Sequence, residues 1–508
     1  MASESESLAA RVVAIPRQLA RIASYRASLA CAVVIGACTL GSASEPVIQQ
    51  LFSFPCPPQQ FANCPEGYAP NVLIQASDGN FYGAAQLTTE GTSNPQGGTL
   101  FKITPSGQFT LLFTFSADKN GNYLNGDNPA TSLVEANDGF LYGTTFDGGA
   151  TNNGVLFRIG KDGKNFQVLH NFCSSANCAD GNAPGRLIVG HDGKIYGTTA
   201  AGGNTTGNCQ FGGCGTIFRF APPITLTTLI ALDGTSAQGG SPGGLIQGRD
   251  GNFYGTVGSA IFRFTLGGQF TIITRFPIGN GFVPPNADSG LLQATNGKLY
   301  GALTRYAINQ VQFYDVSPSG TGFNEFPSIG TLSVDFSVST LIQASDGNLW
   351  TDFTEKSAPN GTLIALSSTT GAVVHQFQFD GSNGQTPEAS MVQGADGKLY
   401  GTAAFGGSVG GGQQASGTVW VLDFGLPAPS ATLAAFMPAS GTAGTKVLIR
   451  GSHFIGTKEV TLNGVSAPFT VLNTSFISAT VPQAATTGPI AVTNEAGTTV
   501  STGNFIVP

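Results

Sequence analysis

One eleven-residue phrase recurs seven times along the chain, and it narrows the available architectures more than any other feature. It reads LIQASDGNFYG from Leu73, LVEANDGFLYG from Leu133, LIVGHDGKIYG from Leu187, LIQGRDGNFYG from Leu245, LLQATNGKLYG from Leu291, LIQASDGNLWT from Leu341 and MVQGADGKLYG from Met391. The residues at its centre, Asp78, Asp138, Asp192, Asp250, Asn296, Asp346 and Asp396, stand 46 to 60 residues apart. A period of that size marks a propeller or a solenoid, in which one copy cannot bury its own apolar face. Asp-Gly or Asn-Gly between apolar runs predicts a two-residue hairpin, because a type I′ turn needs positive φ at both central positions. A Gly-rich loop then leads to a third apolar segment, as in Gly154 to Ile159 (GVLFRI), and a tight turn to a fourth, as in Phe109 to Phe115 (FTLLFTF). Four antiparallel strands per copy make a propeller blade.

The seventh copy ends after its third segment, Val419 to Phe424, and runs directly into Pro427. An apolar segment with the pattern of a fourth strand, Val47 to Phe54 (VIQQLFSF), precedes the first copy. Such a strand would complete the last blade and bury the edges that an open sheet exposes. A solenoid offers no reason for that complement. The expected fold of residues 44–426 is therefore all-β, a seven-bladed β-propeller closed by an N-terminal strand. Composition agrees: 71 Gly and 36 Phe with only 10% charged residues describe turns and buried aromatic strands, and no long segment has helical spacing.

The full unit, Gly-x-x-Pro-x-x-x-Leu-Ile-Gln-x-x-Asp-Gly-x-Phe-Tyr-Gly-Thr-Thr followed by Gly-Gly and Gly-Thr-x-Phe, resembles the GloVer-type tandem repeat of exported bacterial proteins. The resemblance runs from about 47 to 424; the fifth copy departs with Asn296 and the sixth with Trp350 and Thr351. It implies export and repetition, and no common activity. After a Pro-rich joint, Gly425 to Ser430, the composition shifts to Thr, Val and Ala in short alternating segments at sandwich spacing. This stretch resembles an IPT/TIG domain, so residues 430–508 are expected to form an immunoglobulin-like β-sandwich serving as a spacer or contact module.

Arg17, Arg21 and Arg26 precede the apolar run Leu29 to Leu40, and Gly41 to Ser44 are small. That order is a secretory signal, here residues 1–43. A run of about a dozen residues falls short of the roughly 20 that a spanning helix needs. Ile35 to Cys38 also resembles a lipobox, and lipidation at Cys38 is the one route by which a membrane partner is expected. Secreted or cell-surface placement follows, with the periplasm or an outer-membrane lipoprotein as variants. Cys56 with Cys64, Cys173 with Cys178, and Cys209 with Cys214 form close pairs, which in an oxidising compartment read as local disulfides. Each small loop would gain roughly 2–2.6 kcal/mol, enough to stiffen it. A zinc site from Cys173, Cys178, Cys209 and Cys214 is the sharper alternative.

Chemistry is sparse. With net charge −7 and no basic patch, the chain is not expected to bind nucleic acid, and a monomer is expected. The turn residue recurs seven times, as six Asp and Asn296, whereas a catalytic group is needed once; turn Asp favours its own backbone amides, so the set is read as structural. The repeated Tyr82, Tyr142, Tyr196, Tyr254, Tyr300 and Tyr400 are read as packing between blades. His170, His191, His375 and His453 suggest no metal or Ser-His-Asp cluster. Asp118 to Asn122 begins like a calcium loop, but Gly121 falls two places early and Pro129 replaces the closing Glu. No catalytic residue, metal or cofactor is expected.

Asp346 to Glu355 resembles the repeats of virginiamycin B lyase, a seven-bladed enzyme, in repeat residues alone. The expected function is an exported non-catalytic binding or cell-surface protein recognising a glycan or cell-envelope polymer. The alternatives are a polysaccharide-acting lyase or hydrolase with its site at the propeller mouth, and a purely structural display scaffold. Strand order puts the long segments 84–98, 144–153, 198–214 and 402–416, and 55–70, 116–130 and 173–184, on one side together with all three Cys pairs. The ligand is expected there, near the central channel, the Cys209–Cys214 loop and the short connection Thr256 to Ser259.

Overall fold

The computed structural model describes residues 46–508 apart from 56–63, 87–95, 130–132, 205–208, 210–211, 223–224, 236–238, 277–281, 284–289, 306–309, 328–337, 356–357, 388, 410–412 and 415. The expected signal segment, Cys38 and Cys56 lie outside these residues. Pro46–Pro508 is one compact unit. It is all-β; the sole described helix is a three-residue 3-10 turn, Ala176–Cys178.

Each repeat folds into its own antiparallel sheet of four or five strands, here numbered 1 to 7 in chain order. Sheet 2 is representative, with strands Val134–Glu135, Leu141–Thr145, Val155–Ile159 and Gln167–Asn171 paired in sequence order. The second strand is buried along its whole length, because both sheet faces are covered by neighbouring sheets. The fourth is exposed at the outer edge, as in Val373–Gln378 of sheet 6. Ile48–Ser53 pairs antiparallel with Thr418–Leu422 and supplies the fourth strand of sheet 7.

The hairpin between the first two strands departs from the expected type I′ turn. In sheet 1 the Gly79 N–H donates to Ala76 O at 2.8 Å and the Ala76 N–H donates to Asn80 O at 2.9 Å, so three residues form the loop. Gly79, Gly139, Gly193, Gly251, Gly297, Gly347 and Gly397 all have φ between 76° and 88°, but the residue before each is absent from the positive-φ set. This is the three-residue loop with a glycine bulge. The Asp carboxylate decides it: Asp78 Oδ1 accepts the Asn80 N–H at 3.2 Å, an Asx turn that leaves only glycine left-handed.

Packing within a sheet follows one pairing rule. The glycine closing the phrase lies opposite an aromatic of the third strand: Gly83 opposite Phe101, Gly143 opposite Phe157, Gly197 opposite Phe218, Gly255 opposite Phe262, Gly301 opposite Tyr314 and Gly401 opposite Trp420. The ring lies across the glycine, and a Cβ on Gly83 would come within 2.6 Å of Phe101 Cζ. Sheet 6 has Thr351 in place of glycine, and its partner is Ile364.

Glutamine fastens sheet to sheet. Gln247, Gln293, Gln343 and Gln393 each accept, at Oε1, the N–H of the residue preceding the turn Asp or Asn of the previous sheet: His191, Arg249, Thr295 and Ser345. Gln75 accepts from Ala395, so the series returns from sheet 7 to sheet 1, where Phe81 and Tyr400 also meet with ring centroids 4.2 Å apart. These contacts run from sheet 3 through sheet 7 to sheet 1, and the series of sheets is called the ring below. At the junction of sheets 1 and 2 the glutamine is replaced by Glu135, 5% exposed, which accepts from the Ser77 N–H and from Lys161 Nζ, each at 2.6 Å.

Beyond the joint, two further four-stranded antiparallel sheets share one core. The first has the order Thr432–Met437, Lys446–Ser452, Phe476–Thr480, Phe469–Asn473, and the second Val465–Ser466, Glu459–Leu462, Gly488–Asn494, Gly497–Phe505. Val447, Ile449, Val460, Ile477, Ile490 and Val492 are fully buried between them.

Candidate functional site

The first strands of the sheets point at the ring's interior, and one repeat position there is irregular. The residue immediately before the leading Leu or Met is Val72, Gly244, Gly290, Thr340 or Ser390 in sheets 1, 4, 5, 6 and 7, and Arg186 in sheet 3; Ser132 lies outside the described residues. The Arg186 guanidinium crosses the interior, donating from Nη1 to Thr340 Oγ at 3.1 Å and from Nη2 to Ser390 Oγ at 3.3 Å. It sits at one end of a cavity of about 420 Å³. The cavity then passes an aliphatic belt of Ile74, Ile342 and Val392 and the glutamines Gln75, Gln343 and Gln393. Those glutamines are occupied: besides the junction bonds, each Nε2 donates to the carbonyl of its own turn glycine.

The far end is lined by Pro429 of the joint and by His453, Ile455 and Thr474 of the C-terminal module. Its anchor is Asn473, 3% exposed, whose Nδ2 donates to Glu135 O at 3.0 Å and Asn137 Oδ1 at 2.9 Å. That is the junction of sheets 2 and 3, where Val189 stands in the place of the junction glutamine. The joint itself rests on sheets 6 and 7, with Ser345 Oγ donating to Pro427 O at 2.6 Å. Burial, and then Arg450 of the module, push His191 down to about 4, so it is held neutral despite Asp192 and Asp250. Burial also lowers His453.

The turn carboxylates are placed around the side of the ring that the module covers. Tyr82, Tyr142, Tyr196, Tyr254 and Tyr400 donate their hydroxyls to Asp78, Asp138, Asp192, Asp250 and Asp396 at 2.7–3.0 Å. In sheet 5 the direction reverses, with Asn296 Nδ2 donating to Tyr300 Oη, and in sheet 6 Trp350 Nε1 reaches Asp346 at 3.3 Å. The tyrosines therefore satisfy the turns as well as packing between sheets. Burial opposes ionisation of Asp78 and Asp250, but the bonds from Tyr and Asn outweigh it and hold both below the usual carboxylate range.

Cys173–Cys178 and Cys209–Cys214 are disulfides, so these four sulfurs form two pairs rather than a zinc site. Both lie on the opposite side, among the long connections, where the Gly203 N–H donates to Cys178 O at 2.8 Å and links the two loops. Cys214 is fully buried with Ile217, Leu232 and Phe262, so that bridge is part of the core between sheets 3 and 4 as well as a loop staple. His170 Nε2 meets Asp180 at 2.9 Å, and Asp180, 5% exposed, also accepts from the Ser174 N–H and Oγ and the Ser175 N–H. Asp180 is thus the hub that shapes the Cys173–Cys178 loop. Residues 256 to 259 make the expected short connection, Val257 pairing directly with Ala260. The loop 198–214 is described only in part. Among the described residues no group of three or more His, Cys, Asp or Glu is placed to hold a metal ion, and no helix is long and apolar enough to cross a membrane.

Sequence reasoning missed Arg186, Asp180, Asn473 and the seating of the module on the ring. A signal for the first was present: aligned position by position, the copies show a single arginine where the other described sheets carry small or apolar residues.

No curated protein matches the chain. Among solved structures it is similar to a fungal alcohol oxidase of the AA5 family in complex with copper (11% identity, 87% of this chain and 98% of that one, TM-score 0.46). It is also similar to an oligogalacturonate lyase in complex with manganese (10%, 71% and 90%, 0.42) and to a 6-phosphogluconolactonase-like protein of Bacteroides uniformis (14%, 61% and 85%, 0.39). The Gloeobacter/Verrucomicrobia repeat family matches residues 69–260, which supports a repeat protein of the GloVer type.

Proposed function

We propose that the chain is an exported, non-catalytic binding protein: a seven-bladed β-propeller over 44–426 carrying an immunoglobulin-like module of the IPT/TIG type over 430–508. Its ligand, a glycan or cell-envelope polymer, meets the side of the ring that bears the long connections. One observation carries the choice of side. The module occupies the turn side through Asn473, Pro427 and Ile455, so a large partner has the loop side open to it. There, two disulfides and the Asp180 hub stiffen the loops, which lowers the ordering cost of binding. The turn carboxylates are engaged by their own Asx and tyrosine bonds, which supports a structural role for all seven turn positions. The signal segment 1–43, with cleavage or lipidation at Cys38, and a Cys56–Cys64 bridge complete the reading.

The test is retention of the full chain on a panel of immobilised polysaccharides and peptidoglycan. Saturable binding to one class is expected, weakened by reducing the disulfides or shortening 198–214 while the ring stays folded by circular dichroism. Robust depolymerisation of any panel member, with or without divalent metal, would replace this reading with a lyase or hydrolase.

A further inference from the structure

We propose that Asn296 is a modification site: opening of its turn exposes it to deamidation, and the Asp so formed no longer fits sheet 5, which is built around an amide at that position. Six copies carry Asp-Gly in the first hairpin, and sheet 5 carries Asn296-Gly297. The exception extends to the opposite strand. The residue facing the phrase tyrosine is Lys102, Arg158, Arg219 or Arg263 in sheets 1 to 4, and Asp315 in sheet 5. Sheet 5 therefore carries its carboxylate on the strand instead of the turn. Asp315 is 3% exposed there, bonded by Lys298 Nζ at 2.7 Å and Asn324 Nδ2 at 3.3 Å.

One proton then fixes the amide. Tyr300 is fully buried, and its hydroxyl donates to Ser368 O of sheet 6 at 2.8 Å, a carbonyl that can only accept. With that proton committed, Tyr300 Oη accepts from residue 296, and Asn296 Nδ2 donates to it at 2.8 Å. Oδ1 of the same amide accepts the Lys298 N–H at 3.1 Å. An ionised Asp has acceptors and no donor. It would take the Tyr300 proton as Asp78 takes that of Tyr82, where the next sheet's carbonyl, Lys161 O, is left at 3.4 Å. Ser368 O would lose its donor, and a second carboxylate would be added beside the Tyr300–Asp315 pair.

The chemistry needs only water. The Gly297 nitrogen, unhindered by a side chain, attacks Asn296 Cγ; the new N–C bond closes an imide, and Nδ2 leaves as ammonia with the proton of the Gly297 N–H. Water then opens the imide, giving Asp where it cleaves the Cγ–N bond and isoaspartate where it cleaves the backbone C–N bond. Asn296 is exposed and a Cβ built on Gly297 would meet nothing within 4 Å, so water reaches the turn. The folded turn holds the reaction back. Its Gly297 N–H donates to Ala294 O at 2.9 Å, and both ends of the Asn296 amide are bonded. Attack therefore requires local opening, the kind of event that loops and turns undergo more readily than core strands. This inference is independent of what the loop side binds.

The experiment follows the amide-to-acid mass increase of the peptide carrying Asn296 while the full chain is incubated at mildly alkaline pH, folded in one sample and unfolded in urea in the other. Conversion should be roughly tenfold or more faster in urea. Asn296→Asp should unfold at a lower urea concentration than the unsubstituted chain, although it restores the residue that the other six copies carry. Adding Asp315→Arg, which reproduces the Asp, Lys and Arg of sheet 3 at these positions, should recover part of that loss. Equal conversion in the two states, or none in urea, would overturn the proposal, and neither result depends on a variant folding. An Asn296→Asp chain as stable as the unsubstituted one would do the same.

Discussion

On its turn side the ring repeats itself with little variation, whereas on its loop side hardly two sheets agree. Each of the seven hairpins between first and second strands closes with the same two backbone bonds, a left-handed glycine and an Asx bond, and six of the seven junctions carry a glutamine or Glu135. Each connection on the second side is its own solution, from the two-residue link between Val257 and Ala260 to the disulfide loops. A turn that satisfies its own polar groups has little left with which to recognise anything, so the uniform side is suited to a partner that reads the ring as a whole. The module does this, and it anchors at the junction where the glutamine is missing.

The largest effect should come from breaking the uniform side at the junction held by Glu135 and Lys161. Lys161→Met leaves Glu135 buried without its cation, and a loss of about 3–5 kcal/mol is expected in urea unfolding. On the irregular side, Asp180→Ala strands several donors, and about 1–3 kcal/mol should be lost; faster amide exchange should be confined to 173–181. Asn473→Ala should cost about 1–2 kcal/mol at the seat of the module. It should be seen as faster proteolysis at the joint 425–430 with the ring intact.

Acid should act in the same place. Unfolded His191 takes up a proton near 6.5, while the folded chain resists until about 4, so below pH 6.5 the unfolded state binds more protons. Stability is therefore complete above pH 6.5 and falls as pH drops towards 4, and His191→Gln should flatten that part of the profile. The smallest effect is expected from Asp78→Ala, about 1 kcal/mol, because six other turns remain whole.

The repeat makes most of this architecture legible in the sequence. The period located the hairpins, and the orphan segment before the first copy is the strand that pairs with Thr418–Leu422. The turn type was misread because Asp-Gly serves both a type I′ turn and a type I turn with a glycine bulge; what separates them is where the Asp carboxylate bonds, a choice that composition does not carry. The oddity of Trp350 and Thr351 has a partner in the same sheet: threonine fills the space an aromatic would cover, and Ile364 gives it up. That compensation spans two strands and is invisible to a reading of one phrase at a time. The site was harder. Arg186 is a single departure within a segment otherwise occupied by the repeat, and the seating of the module depends on Asn473, which no repeat position announces.

The pairing of Ile48 with Leu422 also sets an order of events during synthesis. At roughly 5–20 residues per second, the first strand emerges long before its partner exists. Through that interval the nascent chain carries an orphan apolar segment at one end and an incomplete array of sheets behind it, each with an edge able to template another chain. That pairing cannot form until Thr418–Leu422 has been made. Until then the hazard is association between neighbouring nascent chains, each offering its early strand to the other's unfinished last sheet, and an exchanged strand of that kind would give a domain-swapped dimer with every hydrogen bond of the monomer.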